Sequence, residues 1–416
     1  MSIPLKASAS LPKVELLSEI KRLRKEKNAV ILAHYYQDPE IQDLADFVGD
    51  SLDLSRKAAA TDADVIVFCG VRFMAEVAKI LSPEKTVVLP DMDAGCSLED
   101  SCPPDEFAKF REKYPEHLCL TYINCSAAVK AMSDIIVTSS NAEHILNQLP
   151  KDQKIMMAPD RHLGAYLSKK TGREMIFWPG SCIVHERFSE KELIKLKAEH
   201  PDAPVTAHPE CPEHILRHAD HVGSTSSILK FVLDNPAEKF LVATEPGIIH
   251  QMQKSAPHKT FIGAPGADGN CNCNQCPYMA LNTIEKLYKC LNTLEPQIEV
   301  DEITRIKALA PLNKMLEMSP SVASNRPPNL VEPFRMPLFR EELRHFIRNV
   351  LDEDIGSGDL TTLATIPADA VLKAEMNARE TMVIAGIDIA ERIIHTVDPA
   401  ITVEMLVQDG VEVTAG

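Results

Sequence analysis

The feature that most constrains this 416-residue chain is an alternation of short apolar runs with stretches in which apolar residues recur at helical spacing. Nine runs are predicted strands: 29–36, 64–70, 86–91, 118–124, 134–140, 154–160, 175–180, 203–210 and 240–247. Most of them lack the polar alternation of a strand with one wet face, so we expect both faces to be covered. Strands that alternate with helices in this way predict an α/β fold of parallel sheets with helices on both sides.

The order of features also recurs three times along the chain. A polar residue ends a predicted strand, a hydroxyl residue opens a helix-like stretch 15 to 17 residues later, another strand and helix follow, and a cysteine closes the unit. The strand-end residues are His34, Asn124 and His208, the hydroxyl residues are Ser51, Ser139 and Ser224, and the cysteines are Cys96, Cys182 and one of Cys271, Cys273 and Cys276. An α/β chain can show loose similarity at this period by chance, but four features in the same order favour a true triplication.

Three related units around a pseudo-threefold axis would bring equivalent positions together around that axis. Ligands of parallel α/β sheets bind beyond the carboxyl ends of the strands, which is where these polar residues fall. The predicted fold class is therefore α/β, with three related parallel-sheet αβα domains in a pseudo-threefold arrangement around one central site. The three cysteines are expected to converge there.

The chain divides into this threefold body and a separate C-terminal segment. Residues 13–27 predict a helix, and residues 301–318 predict a closing helix in which Pro311 kinks or breaks the backbone. Residues 319–337 are rich in Pro, Ser and Asn and predict a linker. The predicted limits are an N-terminal helix at 1–28, repeats at 29–116, 117–200 and 201–318 (the last with the closing helix), the linker at 319–337 and a further module at 338–416.

Composition excludes several classes of protein. The chain carries 44 Lys and Arg against 60 Asp and Glu, a formal net charge of −16, and it has no basic stripe laced with aromatic residues, so we expect no nucleic-acid partner. No apolar stretch approaches the ~20 residues that span a bilayer, and the opening residues hold no apolar signal segment. We expect a cytoplasmic protein that works away from membranes.

Eleven cysteines are the unusual element of the composition. Their number is odd, so they cannot all pair within one chain, and clustered cysteines in a reducing compartment are typical of metal ligands or catalytic groups. Three cysteines spread over the repeats do not have the local spacing of a zinc finger, but they fit a [4Fe–4S] cluster with three thiolate ligands. Such a cluster keeps one open iron that acts as a Lewis acid.

Alternatives stay open for several of these cysteines. The segment CNCNQCP at 271–277 can also bind zinc or form a redox pair, and Cys102 competes with Cys96 as the ligand of the first repeat. Apolar surroundings predict buried, inert thiols for a further group. These are Cys69, Cys119, Cys125 and Cys290.

Polar side chains at the strand ends are the candidates for acid–base chemistry. His34 and Tyr36, and likewise His208 and Glu210, are two residues apart and therefore lie on one side of their strand. An imidazole and a carboxylate at one cavity can work as acid and base, with Tyr36 as a second donor. The alternatives are a structural, hydrogen-bonded His34 and a surface Glu210 beside a turn. The rest of 208–221 is predicted to be solvated helix.

Other polar residues at these places are candidates for substrate binding. Tyr122 and Asn124 occupy the strand end of the second repeat. The hydroxyl residues Ser51, Ser139, Ser224 and Thr225 open helices. A hydroxyl there can cap the helix or help its N-terminus to bind a carboxylate or a phosphate, and both roles can hold at once.

Seven separated motifs between about residues 14 and 318 are AHYYQDPEIQDLADFVGDSLDLSRKAA, GCSLEDSC, TYINCSAAVKA, VTSSNA, PGSCIVHERF, TAHPEC and CNCNQCP. Together they closely resemble the motifs of quinolinate synthase, an enzyme family of NAD biosynthesis. The resemblance implies three related α/β domains around a [4Fe–4S] cluster. It also implies condensation of iminoaspartate with dihydroxyacetone phosphate to quinolinate, with loss of phosphate and two waters, and aspartate oxidase as the source of iminoaspartate.

The resemblance further implies roles for individual residues. The implied cluster ligands are Cys96, Cys182 and Cys276. The implied substrate contacts are His34, Tyr36, Ser51, Tyr122, Asn124, Ser139, His208, Glu210 and Thr225. Among these contacts we expect Tyr36, His208 and Glu210 to be catalytic and to move protons, and the others to bind substrate.

The C-terminal module carries a second resemblance. Its segment DIGSGDLTT, within 338–416, is similar to the start of quinolinate phosphoribosyltransferase. In that family this is the amino-terminal α+β domain, and a barrel with most of the phosphoribosyl-pyrophosphate site follows it. We therefore expect a partial domain without phosphoribosyltransferase activity, and GSGD at 356–359 to be a turn.

Two rival classes of function remain at this point. One is an aconitase-like iron–sulfur hydro-lyase that acts on another small acid. The other is a zinc-stabilised scaffold without catalysis.

Overall fold

The computed structural model describes residues 12–266 and 274–319, together with short pieces between 382 and 413. The predictions for Cys271 and Cys273, for most of the linker and for most of the C-terminal module lie outside these described residues. The predicted GSGD turn lies outside them as well.

The chain forms two compact units, Met1–Pro320 and Ser321–Gly416. In the second unit the described pieces include two short antiparallel strands, Met382–Val383 and Glu412–Val413. The first unit contains the repeats and all the predicted site residues.

Three four-stranded parallel sheets form the core of the first unit. Their strands are β1 Ala29–His34, β2 Phe47–Gly49, β3 Val65–Cys69 and β4 Thr86–Val88; β5 Leu118–Tyr122, β6 Ile135–Val137, β7 Ile155–Ala158 and β8 Met175–Phe177; and β9 Val205–Ala207, β10 His221–Val222, β11 Lys239–Ala243 and β12 Thr260–Gly263. The strand orders are β2-β1-β3-β4, β6-β5-β7-β8 and β10-β9-β11-β12, so the topology is the same in all three. This recurrence confirms the predicted α/β fold of three related parallel-sheet repeats. The residue limits given above for the domains stay a prediction.

Helices connect the strands and cover the sheets. They are α1 Lys13–Glu26, α2 Pro39–Leu44, α3 Ser51–Ala60, α4 Arg72–Leu81, α5 Ser97–Asp100, α6 Pro104–Glu112, α7 Ala127–Lys130, α8 Ala142–Gln148, α9 Arg161–Thr171, α10 Glu190–Glu199, α11 Glu213–Leu216, α12 Thr225–Asp234, α13 Ile248–Ser255, α14 Ile284–Thr293 and α15 Glu302–Met318. Short 3₁₀ turns lie at His185–Arg187 and Met279–Leu281. None of the helices in the described part of the chain is long and apolar enough to cross a membrane.

Strands β2, β10 and β12 were not predicted. The first two are edge strands of three and two residues, which are too short to show a periodic apolar pattern. The predicted solvated helix over 208–221 is wrong, because only Glu213–Leu216 is helical and His221 belongs to β10. Within that short helix Ile215 is fully buried, so the segment packs on the sheet instead of standing in solvent.

The predicted closing helix is present as α15, and it is continuous through Pro311. Of the two predicted alternatives, the break is therefore wrong, and the kink stays a prediction. Ala308, Leu312 and Met315 are fully buried on one face of this helix, in the apolar cluster that also holds residues of the first and second sheets. A proline inside a helix removes one backbone hydrogen bond, and burial of this apolar face offsets that loss.

Substitution of Leu312 by Ala should lower the free energy of unfolding by about 2–5 kcal/mol, because it removes a fully buried side chain and leaves a cavity. Ile306→Ala is the matched control on the same helix. Its side chain is 56% exposed, so we expect a change within about 0.5 kcal/mol. Urea unfolding followed by circular dichroism measures both variants, and equal effects would contradict this packing of α15.

Candidate active site

One cavity with about 630 Å³ of empty space lies at the carboxyl ends of strands from all three sheets. Every cluster ligand and substrate contact that the family resemblance implied lines this cavity. They are His34, Tyr36, Ser51, Cys96, Tyr122, Asn124, Ser139, Cys182, His208, Glu210, Thr225 and Cys276. The structure thus brings the predicted residues together, and their individual roles stay proposals.

Acidic side chains in the cavity wall have no lysine or arginine beside them in the described part of that wall. The carboxylates are those of Asp50, Glu210 and Glu245. An anionic ligand must therefore be held by backbone amides, hydroxyls, imidazoles or a metal. Helices α3 and α12 begin at the wall with Ser51 and Thr225, and the positive end of a helix dipole favours negative charge there.

Cys96, Cys182 and Cys276 belong to three similar loops at the wall. Burial raises the pKa of each thiol, to about 11 for Cys276. In each loop the backbone amides two and three residues further along lower that pKa again; they belong to Leu98 and Glu99, to Val184 and His185, and to Tyr278 and Met279. Amides directed at a sulfur favour the thiolate, so the three loops share one way of holding an anionic sulfur ligand.

Cys102, the rival to Cys96, lies outside the cavity wall. It is buried in an apolar cluster with Phe107 and Trp178. The structure therefore favours Cys96 as the cysteine of the first repeat that faces the site. The cysteines predicted to be core residues, Cys69, Cys119, Cys125 and Cys290, are all buried in apolar clusters.

A second set of possible metal donors shares one of the three cysteines. One ligand atom from each of Cys182, His185 and Glu210 lies within 4.8 Å of the other two. Such a trio suits a single metal ion, whereas three thiols alone suit a cluster. The two arrangements predict different effects of replacing His185.

Glu210 lies at the centre of the acid–base groups. It is 4% exposed, so the alternative of a surface carboxylate is wrong. The Tyr122 hydroxyl donates a hydrogen bond of 2.5 Å to Oε1, and His185 Nδ1 lies 2.9 Å from Oε2. Burial raises the pKa of Glu210, but His208, His185 and the Tyr122 hydroxyl outweigh it and hold that pKa below its usual value. Glu210 is therefore charged near neutral pH and can accept a proton.

His34 and His208 are both buried near this carboxylate. Burial lowers the pKa of His34 to about 4 and that of His208 to about 3, so both rings are neutral near pH 7. His208 Nδ1 accepts the amide N–H of Glu210 at 3.4 Å, which leaves the ring proton on Nε2, 3.2 Å from Ser139 Oγ. In this state His208 donates a hydrogen bond but is not a source of an extra proton at neutral pH.

The hydroxyl residues divide into helix caps and cavity groups. Ser224 is the cap of α12, since its Oγ accepts the amide N–H of Ser227 at 3.2 Å. Thr225, the next residue, lines the cavity. At α3 the cap is Asp50, and Ser51 lines the cavity instead. At these two helices the cap and the hydroxyl that lines the cavity are therefore neighbouring residues.

Asn124 carries a polar atom that needs a partner. Its Oδ1 is buried and has no hydrogen-bond partner among the described residues. A buried unpaired acceptor costs about 1–3 kcal/mol, and this one belongs to the cavity wall. The amide is thus available to a donor group on a ligand.

Sequence analysis missed three ionisable residues of the wall, Asp50, His185 and Glu245. Glu245 accepts the amide N–H groups of Gly247 and Cys276 at 2.6 and 3.3 Å, and burial raises its pKa to about 8. Two signals were available in the sequence. Glu245 stands near the end of the predicted strand 240–247, and His185 follows a predicted cysteine ligand by three residues.

The neutral His34 makes stability depend on pH. Its pKa is about 4 in the folded protein because burial outweighs the attraction of Asp50 and Glu210, whereas an unfolded histidine has a pKa of ~6.5. As the pH falls from 6.5 to 4, only the unfolded state takes up the proton, so the free energy of unfolding decreases. The free energy of unfolding of the wild type should fall by a value on the order of 3 kcal/mol between pH 7 and pH 4 because of His34, and His34→Gln should abolish this contribution.

Urea unfolding of the wild type and the variant across this pH range measures the effect. His214→Gln is the matched control, because His214 is exposed. Parallel pH profiles for wild type and His34→Gln would contradict a neutral, buried His34.

Comparison with known sequences follows the same division of the chain. Residues 18–317 match the family described as quinolinate synthetase A protein. Residues 359–416 match the N-terminal domain of quinolinate phosphoribosyl transferase. Both resemblances are thereby confirmed, and the expected lack of phosphoribosyltransferase activity stays a prediction.

Curated relatives cover the first of these regions almost completely. The quinolinate synthase of Prochlorococcus marinus strain MIT 9303 is 62% identical over 304 residues, which are 73% of this chain and 91% of that protein. That of Microcystis aeruginosa strain NIES-843 is 60% identical over 311 residues, 75% of this chain and 97% of that protein. The quinolinate synthase of Thermosynechococcus vestitus strain NIES-2133 is 60% identical over 306 residues, which are 74% of this chain and 96% of that protein. The three repeats and the cavity between them fall in this shared region, and the chain belongs to the quinolinate synthase family.

Proposed function

We propose that this chain condenses iminoaspartate with dihydroxyacetone phosphate to quinolinate, with release of phosphate and two waters. Aspartate oxidase is the proposed source of iminoaspartate, and a [4Fe–4S] cluster is the proposed cofactor. The observation that carries the proposal is the convergence of three thiols and nine predicted substrate contacts at one cavity. Membership of the quinolinate synthase family supports the product.

The donor set fits the proposed cluster. Cys96, Cys182 and Cys276 would be its ligands, because each faces the cavity and each sulfur has two amides directed at it. When bound, such a cluster supplies an open iron that acts as a Lewis acid toward a substrate oxygen. The remaining steps depend on the side chains of the wall.

Glu210 is the proposed general base. It is charged near neutral pH, it is buried, and Tyr122 fixes one of its oxygens. Tyr36 is the proposed proton donor: burial and the Glu210 charge raise its pKa well above the ordinary value, so its hydroxyl keeps its proton. His208 stays neutral and orients a substrate oxygen through its Nε2–H.

The hydroxyl and amide groups of the wall are proposed to bind the carboxylates and the phosphate. Ser51 and Thr225 do so together with the amides at the first turns of α3 and α12. Ser139 and His34 belong to the same wall and are proposed to take part in this binding. The unpaired Asn124 accepts from a donor on the substrate.

Replacement of Cys96, Cys182 or Cys276 by Ser should remove the cluster and abolish quinolinate formation, since each change deletes one of three ligands. Anaerobic purification with iron and sulfide analysis and a quinolinate assay measures both effects. Cys102→Ser is the matched control, because Cys102 lies outside the cavity wall, and it should keep iron, sulfide and activity. Cys271→Ser should also keep a cluster, and its loss would mean that the third ligand was assigned wrongly.

The same purification separates the rival interpretations. Zinc in a colourless protein would favour a scaffold, and turnover of other small hydroxy acids would favour a hydro-lyase. His185→Gln tests the trio of Cys182, His185 and Glu210. A single ion held by that trio would be lost, whereas a cluster held by three thiols should keep its iron and sulfide.

Replacement of Glu210 by Gln should lower kcat by about 10²–10⁴-fold, because it removes the proposed base but keeps the size of the side chain. Glu213→Gln is the control, since Glu213 is exposed and forms an ion pair with the exposed Lys169. Steady-state kinetics on protein with full iron and sulfide content measures the change. A Glu210→Gln variant with wild-type kcat would remove Glu210 from the mechanism.

A further inference from the structure

One hydroxyl outside the cavity wall joins two residues of that wall. Thr244 follows the last residue of β11, and it is 2% exposed. Its Oγ1 lies 2.7 Å from the Tyr36 hydroxyl and 3.0 Å from His185 Nε2. Tyr36 comes from the first repeat, His185 from the second and Thr244 from the third, so this hydroxyl connects all three.

The imidazole of His185 depends on this bond for its orientation. Its Nδ1 lies 2.9 Å from Glu210 Oε2, but the ring N–H is not aimed at that oxygen well enough to make a hydrogen bond. The ring also lies against His208, with centroids 4.9 Å apart and an interplanar angle of 29°. The bond from Nε2 to Thr244 is the side-chain hydrogen bond that holds this ring among the described residues.

Thr244 can bond both partners at once, because a hydroxyl has one proton to donate and an oxygen that also accepts. Its Oγ1 is within hydrogen-bonding distance of His185 Nε2 and of the Tyr36 hydroxyl. The bond at Nε2 holds the His185 ring with Nδ1 toward Glu210 Oε2. One threonine thereby orients both the His185 ring and the Tyr36 hydroxyl.

We propose that Thr244 is a positioning residue for the reaction, which acts through His185 on the Glu210 carboxylate and directly on the Tyr36 hydroxyl. The proposal rests on the acid–base roles given above to Glu210 and Tyr36. It adds a residue that makes no contact with substrate, since Thr244 is absent from the described cavity wall. Outer contacts of this kind are typically worth about 10–100-fold in activity.

The decisive comparison is between Thr244→Val and Thr244→Ser. Valine keeps the shape of threonine and removes the hydroxyl, whereas serine keeps the hydroxyl and removes the methyl group. We expect Thr244→Val to lower kcat about 10–100-fold with KM within about twofold, and Thr244→Ser to recover kcat to within about threefold of wild type. Iron and sulfide content should be unchanged in both.

Thr206→Val is the matched control. Thr206 is fully buried in β9 of the same sheet, paired with Val242 of β11, and its Oγ1 has no hydrogen-bond partner among the described residues. Removing that hydroxyl should leave kcat and KM at the wild-type values. If Thr206→Val loses as much kcat as Thr244→Val, then replacing any buried hydroxyl of this sheet by a methyl group disturbs the enzyme. That result would overturn the proposal.

Three other outcomes would each overturn the positioning role of Thr244. They are a wild-type kcat in Thr244→Val, equal losses of kcat in the valine and serine variants, and a change confined to KM. If the valine variant does not fold, Thr244→Ala takes its place against the serine variant with the same criteria. Glu210→Gln is measured alongside: wild-type kcat in that variant would overturn the acid–base proposal, whereas a normal Thr244→Val beside an inactive Glu210→Gln overturns only the inference about Thr244.

Discussion

Hydrogen bonds that cross from one repeat to another hold the cavity together. Three of them have a carboxylate as acceptor: Tyr122 to Glu210 between the second and third repeats, Ser140 to Asp50 between the second and first, and Ser226 to Asp53 between the third and first. Hydrogen bonds to a charged group are stronger than neutral ones. A buried carboxylate without such partners would destabilise the fold. Side chains from the three repeats must therefore lie within hydrogen-bonding distance of one another.

The same requirement explains how an acidic chain can offer a site for anions. The net charge of −16 and the carboxylates of the wall repel an anionic substrate, and the described wall has no lysine or arginine to offset this. Tyr122 already donates a hydrogen bond to Glu210, which leaves the helix N-termini, the other hydroxyls and the unpaired Asn124 for a ligand. Attraction in this cavity is therefore local, made of dipoles and hydrogen bonds and, on our proposal, one metal centre.

Much of this site was predictable because the ends of parallel strands share one edge of a sheet. Polar residues at predicted strand ends, such as His34 and Glu210, had to lie near each other once the three repeats converged. Contacts between repeats were not predictable in this way. Thr244, buried at the end of β11, has no distinguishing sequence pattern, and its partners lie 208 and 59 residues away along the chain. The choice of Cys96 over Cys102 likewise needed the structure, which shows which of the two faces the cavity. In the sequence the two cysteines are only six positions apart, in one short motif.

The repeats share a topology but have diverged in chemistry at equivalent places. Two residues beyond β7 and β11 stand Asp160 and Glu245, both buried carboxylates. Burial raises the pKa of each, and the amide of the cysteine in the same repeat, Cys182 or Cys276, lowers it. In the first repeat the equivalent place after β3 is taken by the apolar Val71. The amide of Cys276 donates a hydrogen bond of 3.3 Å to Glu245, whereas Asp160 Oδ2 has no hydrogen-bond partner among the described residues, so the loops of the proposed ligands are held in unequal ways. A threefold scaffold can in this way hold an unsymmetrical reaction, because each repeat supplies a different set of polar groups around one shared centre.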